Sequence, residues 1–208
     1  RRRRCAASAP PGLVTTIYLV RHGVHDQLGG RLSGRTPGVL MGQAGLAQAE
    51  AAAERLSGRN VETVYTSPME RTRQTAEPIA RACTAPLVEE PALNEIDFGD
   101  WNGAAFADLD RQPEWRRWNT DRDQARAPSG ETMLEVQLRL SRWLEDVTQG
   151  GAEAIVAVSH ADVIKSVVAL TLGLSMRAHD RFEVSPGSIT TLTADAWGLR
   201  LHAINEAP

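Results

Sequence analysis

Two apolar runs rich in β-branched residues, Thr16 to Val20 and Ala154 to Val158, and a further stretch that reads as a strand, Val61 to Thr66, each stop abruptly at a polar cluster. The clusters are Arg21-His22-Gly23, Ser67-Pro68-Met69-Glu70-Arg71-Thr72 and Ser159-His160. Continuous apolar runs of this length, bounded by polar residues, read as strands buried on both faces. Helix-favouring stretches lie between them. Gly45 to Leu56 is alanine-rich, with Gly58 placed to stop the helix. A second amphipathic helix, about Glu131 to Val147, offers Leu134, Leu138, Leu144 and Val147 as a stripe, and a third runs from about Asp162 to Leu172. Alternating strands and helices predict an α/β fold, a three-layer α/β/α sandwich with a mostly parallel central sheet. The polar clusters then sit at the carboxyl ends of strands, where open α/β sheets bind ligands.

The second cluster carries helix-start signals. Ser67 reads as an N-cap, Pro68 as the first helical residue, and Glu70 completes a capping box. Such a start offers free N–H groups, a positive dipole end and the side chain of Arg71 to an anion. Pro78 is expected to kink or shorten that helix. Ala85 to Glu89 reads as a short strand, and Ile189 to Thr193 and Leu199 to Ile204 as a final pair turning around Trp197-Gly198.

The length of 208 residues with 42% hydrophobic content suits one core and one domain, placed at 15–206. Residues 1–14, opening Arg1 to Arg4, are expected to be a flexible basic tail. They lack the apolar run of a signal peptide, no transmembrane-length stretch follows, and Cys5 and Cys83 are too few for a disulfide framework. A cytoplasmic protein is the natural expectation. A net charge of -3 argues against a broad nucleic-acid surface, so any polyanion site must be focal. All but one of the basic residues are arginine, Lys165 being the exception, and most arginines outside the clusters are expected on solvated helix faces. The polar, tryptophan-bearing stretch around 102–128 reads as a cap over the site, with Trp115 and Trp118 packing it onto the core.

Together with Leu93-Asn94-Glu95, the three clusters supply two histidines, two arginines and a glutamate in an order that resembles the histidine phosphatase family, whose fold is called phosphoglycerate mutase-like. The resemblance runs from about Thr16 to Asn205. It implies that His22 is the nucleophile, that Arg21 and Arg71 grip phosphoryl oxygens, that His160 donates to the same group from the opposite side, and that Glu95 is the acid/base. Imidazole suits nucleophilic catalysis because it attacks while neutral and leaves when protonated. Paired guanidinium groups neutralise phosphoryl oxygens without a metal, and no cofactor is expected. Asp97 and Glu131 are the carboxylates that could substitute for Glu95.

The chain departs from the family at several places. The first motif usually continues with a threonine and then an asparagine, where this chain has His25 and Leu28. His25 is a candidate substrate contact or lines the mouth. Gly34 and Arg35 look like the loop that often helps bind phosphate. Ala161-Asp162 stand where Gly-Gly is common, and Asp162 is expected to cap the following helix or to repel acidic leaving groups.

The leading expectation is a phosphomonoester hydrolase of the phosphatase branch, acting through phosphohistidine on a small phosphorylated metabolite, with no nucleic acid or membrane as partner and the oligomeric state open. Mutase-type phosphotransfer is the alternative. Metal-dependent hydrolysis through His22, His25, Asp26 and His160, and a noncatalytic phosphate-binding module, are further readings.

Overall fold

The computed structural model describes residues 14–208, so the expected basic tail and Cys5 lie, apart from Val14, outside the described residues. Six strands form one sheet: β1 (Thr15–Arg21), β2 (Val61–Thr66), β3 (Leu87–Glu89), β4 (Ala154–Ser159), β5 (Ile189–Asp195) and β6 (Gly198–Glu206). Their spatial order is β3-β2-β4-β1-β5-β6. The first four are mutually parallel, and β5 and β6 add an antiparallel edge. Six α-helices accompany them among the described residues: α1 (Gln43–Leu56), α2 (Glu70–Cys83), α3 (Phe106–Leu109), α4 (Pro113–Thr120), α5 (Met133–Gln149) and α6 (Ala161–Leu172).

The pleat of the central strands creates two cores. Ile17 and Leu19 of β1, with Ile155 and Ala157 of β4, face α5, α6 and the 102–128 segment. Val20, Val156 and Val158 face the opposite way, onto Ala52, Ala53 and Leu56 of α1 and Ala76 and Ile79 of α2. Residues alternating along a strand point to opposite faces, so apolar character at every position requires a helical layer on both sides. This is the expected three-layer sandwich.

The amphipathic stripe of α5 differs from the expected one. Met133, Val136, Leu140, Trp143, Leu144 and Val147 are buried, whereas Leu134 and Leu138 are exposed. Both sets have near-helical spacing; Trp143 and Met133 bury more surface and decide the rotation of the helix. Pro78 is accommodated inside α2, which continues five residues beyond it to Cys83 rather than stopping short.

The 102–128 segment packs onto the first core through its tryptophans. Trp101 stands edge-on to Trp115 at 5.2 Å between ring centroids, and to Trp118 at 6.2 Å. Trp118 is fully buried.

Candidate active site

Register brings the polar clusters together. Arg21 pairs with Ser159 at the end of β1 and β4, and Thr66 of β2 pairs with Val158. The residues that follow, His22, Ser67 and His160, therefore emerge side by side. His22 N–H bonds Ser159 O at 3.0 Å and Ser67 N–H bonds Val158 O at 3.0 Å, extending the ladder one residue past the strands.

That extra rung removes the expected capping box. With its N–H given to Val158, Ser67 cannot receive the Glu70 carboxylate, and α2 begins at Glu70 with Met69 as its N-cap. Glu70 accepts from Gly38 N–H at 2.9 Å instead. Ser67 Oγ lies 2.9 Å from Nε2 of His160, a role that the capping pattern concealed.

His22 is buried, and its Nδ1 lies 2.8 Å from Gly23 O. A carbonyl only accepts, so Nδ1 carries the proton and Nε2 keeps its lone pair. Burial, then the charges of Arg71 and Arg21, hold the imidazole pKa well below its ordinary range. A neutral ring with a free Nε2 is a nucleophile in the form needed for attack.

Arg71 is 1% exposed. Its Nη2 donates to Gly34 O at 2.7 Å and to His160 Nδ1 at 3.1 Å. Its Nε and Nη1, together with Nε of Arg21, are buried without a hydrogen-bond partner. Buried guanidinium nitrogens left unpaired are costly, and their presence beside His22 marks a place for an anion. Arg21 is anchored through Nη1 to Val184 O at 2.6 Å.

A pocket of about 170 Å³ is lined by Arg21, His22, His25, Arg71, Glu95 and Asp162, with Gly34, Ser33, Leu28, Phe98 and Phe106 among its other walls. Glu95 reaches it because Ser159 Oγ bonds Leu93 O at 2.7 Å, pinning the Leu93–Glu95 segment over the end of β4. Burial first, and the neighbouring Asp162 second, push the Glu95 carboxyl up to about 7. His25 Nδ1 and Ser33 Oγ are also buried without a partner. Burial and the two arginines lower the His25 pKa to about 4, so it faces the pocket as a neutral ring.

His160 is fully buried beside Arg71, with Nδ1 accepting from the guanidinium and lying 3.8 Å from Oε2 of the pocket-wall Glu95, and with Nε2–H directed at Ser67. Other residues take places that the sequence did not suggest. Arg35 is a strut: its guanidinium holds Glu95 O at 2.8 Å, Glu131 at 3.0 Å and Asp97 at 3.4 Å, while Gly34 contributes the carbonyl that orients Arg71. Asp97 and Glu131 are thereby tied into a loop network with Arg139, outside the pocket walls. Asp162 does not cap α6, whose N-cap is His160; it pairs with Arg122 at 2.9 Å. Ser33 and Arg122 were not singled out from the sequence, and Ser67 was read there only as a helix cap. Asp26 packs against Gly42, and among the described residues no three His, Cys, Asp or Glu side chains are disposed to hold a metal ion. Likewise no helix among them is long and apolar enough to cross a membrane.

A sequence model of the histidine phosphatase superfamily, branch 1, matches residues 17–207. The chain belongs to that superfamily. Among relatives of this histidine phosphatase, a probable phosphoglycerate mutase GpmB of Proteus mirabilis is 32% identical over 178 residues, covering 84% of this chain and 82% of the relative. Phosphoserine phosphatase 1 of Hydrogenobacter thermophilus is 30% identical over 166 residues, covering 77% of each. The solved structure of phosphoserine phosphatase from Entamoeba histolytica in complex with 3-phosphoglyceric acid superposes with a TM-score of 0.81 at 25% identity, covering 92% of this chain and 97% of that one. The superfamily assignment makes this chain an enzyme of the phosphatase and phosphomutase kind.

Proposed function

We propose that this histidine phosphatase is a metal-independent phosphomonoester hydrolase that works through a phosphohistidine on His22, within residues 15–206 and beneath the 102–128 cap. The observation that carries the reading is the pairing of a free His22 Nε2 with the unpartnered Nε and Nη1 of Arg71 in one pocket. The arginines bind the equatorial phosphoryl oxygens and leave phosphorus in line with Nε2. As the N–P bond forms and the ester P–O bond breaks, Glu95 gives its proton to the departing alkoxide. The resulting carboxylate then takes a proton from the water that attacks the phosphohistidine, restoring both groups. His160 holds Arg71 in the gripping position, and a small phosphorylated metabolite fits a pocket of this volume.

The test is phosphate release from an aryl phosphate with a chelator present, comparing wild type with His22→Ala. Turnover that survives chelation and is lost in the variant supports the reading. Loss to the chelator moves the reaction to a metal, and transfer of the phosphoryl group to an alcohol without net release makes the protein a mutase.

A further inference from the structure

Asp162, in the first turn of α6, shares the pocket with Arg21, His22, Arg71 and Glu95, and its one part in the phosphoryl chemistry is to raise the proton affinity of Glu95. Its Oδ2 lies 2.9 Å from Nη1 of Arg122. Arg122 belongs to the cap. It is buried, its guanidinium carbon stands 5.6 Å from the centre of the Trp118 ring, and its Nη2 donates to Asn119 Oδ1 at 3.1 Å. The cap therefore fixes the Asp162 carboxylate from behind. The contact is an ion pair, and a carboxylate has about four lone-pair sites, so acceptor capacity remains for a ligand donor.

The walls of this one pocket carry both signs of charge. Arg21 and Arg71 match a phosphoryl dianion. In the same wall stands the Asp162 carboxylate, whose proton affinity burial raises most, but which Arg122, His179 and Lys165 together hold below the ordinary carboxylate range. With the phosphoryl group held by His22, Arg21 and Arg71, the rest of a bound phosphomonoester, its leaving group, meets the remaining pocket walls, Asp162 among them. Arg31, at the mouth, already donates through Nη1 to Gly103 O at 2.8 Å.

We propose that Asp162 is a specificity-determining residue: it selects phosphomonoesters whose leaving group carries a hydrogen-bond donor, above all an ammonium group, near the ester oxygen, and rejects those carrying a second anion there. The assignment of these walls to the leaving group rests on the hydrolase reading above. Like-charge rejection and donor matching act together in such a site.

The test is equilibrium binding of two non-hydrolysable ligands of matched length, 2-aminoethylphosphonate and 3-phosphonopropionate, by calorimetry. Wild type should bind the amine at least about tenfold more tightly. Asp162→Asn should bring that ratio close to one. A double variant, Asp162→Asn with Arg122→Met, leaves no buried charge unpaired and should do the same if the single variant folds poorly. A ratio unchanged in a folded variant, a wild type that prefers the carboxylate, or no binding of either phosphonate overturns the proposal. Because both ligands share the phosphonate and need no turnover, their ratio stands apart from the hydrolase reading, which aryl phosphate release decides separately.

Discussion

Ser67 Oγ lies 2.9 Å from Nε2 of His160, joining the residue after β2 to the residue after β4 directly behind the phosphoryl site. Arg71 donates to the other nitrogen of the same ring, which fixes the tautomer and directs Nε2–H at the serine. Ser67→Ala leaves that fully buried donor without its acceptor. We expect a stability loss of about 1–3 kcal/mol in urea denaturation. The expected fall in kcat follows because a ring that reorients to find a partner no longer holds Arg71. A variant with unchanged stability and kcat would show that the contact is incidental.

The pH dependence follows from Glu95, whose pKa is pushed up to about 7. Below that value it holds the proton that a departing alkoxide needs; above it the carboxylate cannot supply one. For an alkyl phosphate, kcat/KM should therefore fall by about tenfold per unit above pH 7. His22, held well below its ordinary range, stays neutral across the same interval and adds no limb there. Glu95→Gln should slow alkyl phosphate hydrolysis by about 10²–10⁴ and abolish the basic limb. An aryl phosphate, whose leaving group departs as a stable anion, should be slowed much less. Equal losses on both substrates would remove Glu95 from the acid role.

Arg71 carries two buried nitrogens without partners, so an anion that supplies acceptors should stabilise the fold. Inorganic phosphate at about 100 times its Kd should add about 2.7 kcal/mol, by binding the native state only. For a chain of this size that is a rise in Tm of about 5–10 °C. Arg71→Met should erase the phosphate-dependent part of the shift whatever its own Tm. Thermal scans at several phosphate concentrations would decide, and a retained shift would place the anion elsewhere.

The strands and the sandwich were legible because each element is a local signal, whereas the gathering of Arg21, His22, Arg71 and Glu95 was legible only through the resemblance to the histidine phosphatase family. A β-branched run ending in a charged residue needs no knowledge of its neighbours. What was misread depended on competition between partners. Ser67 has the sequence of an N-cap, but its N–H is claimed by Val158 across the sheet. Leu134 and Leu138 have the spacing of a buried stripe, but the rotation of α5 is set by Met133 and Trp143. Arg35 sits in a loop suited to phosphate, yet Asp97 and Glu131, remote in sequence, occupy its guanidinium. Arg122 was invisible because its partner Asp162 lies forty residues away, and no local pattern pairs them.

Gly23 links packing to catalysis. A Cβ there would lie 2.4 Å from Gly45 O and 2.7 Å from Met41 Sδ, so the loop after β1 fits against α1 only without one. The same residue supplies the carbonyl that orients His22 and donates its N–H to Thr75 Oγ1 at 3.1 Å. In Gly23→Ala the backbone of α1 cannot yield, so the loop must move and carry the His22 ring with it. A displacement of about 1 Å at a reacting centre costs on the order of 10² in rate. We expect kcat to fall by about that factor or more. Gly58→Ala is the control, since φ there is +76° but nothing lies within 4 Å of an added Cβ. It strains a turn far from the pocket, and should lower stability by about 1 kcal/mol while leaving kcat intact. Measuring kcat and unfolding free energy for both variants separates misplacement of the nucleophile from general destabilisation. If Gly23→Ala lost only as much activity as Gly58→Ala, the backbone contact at Gly45 would have no part in positioning His22.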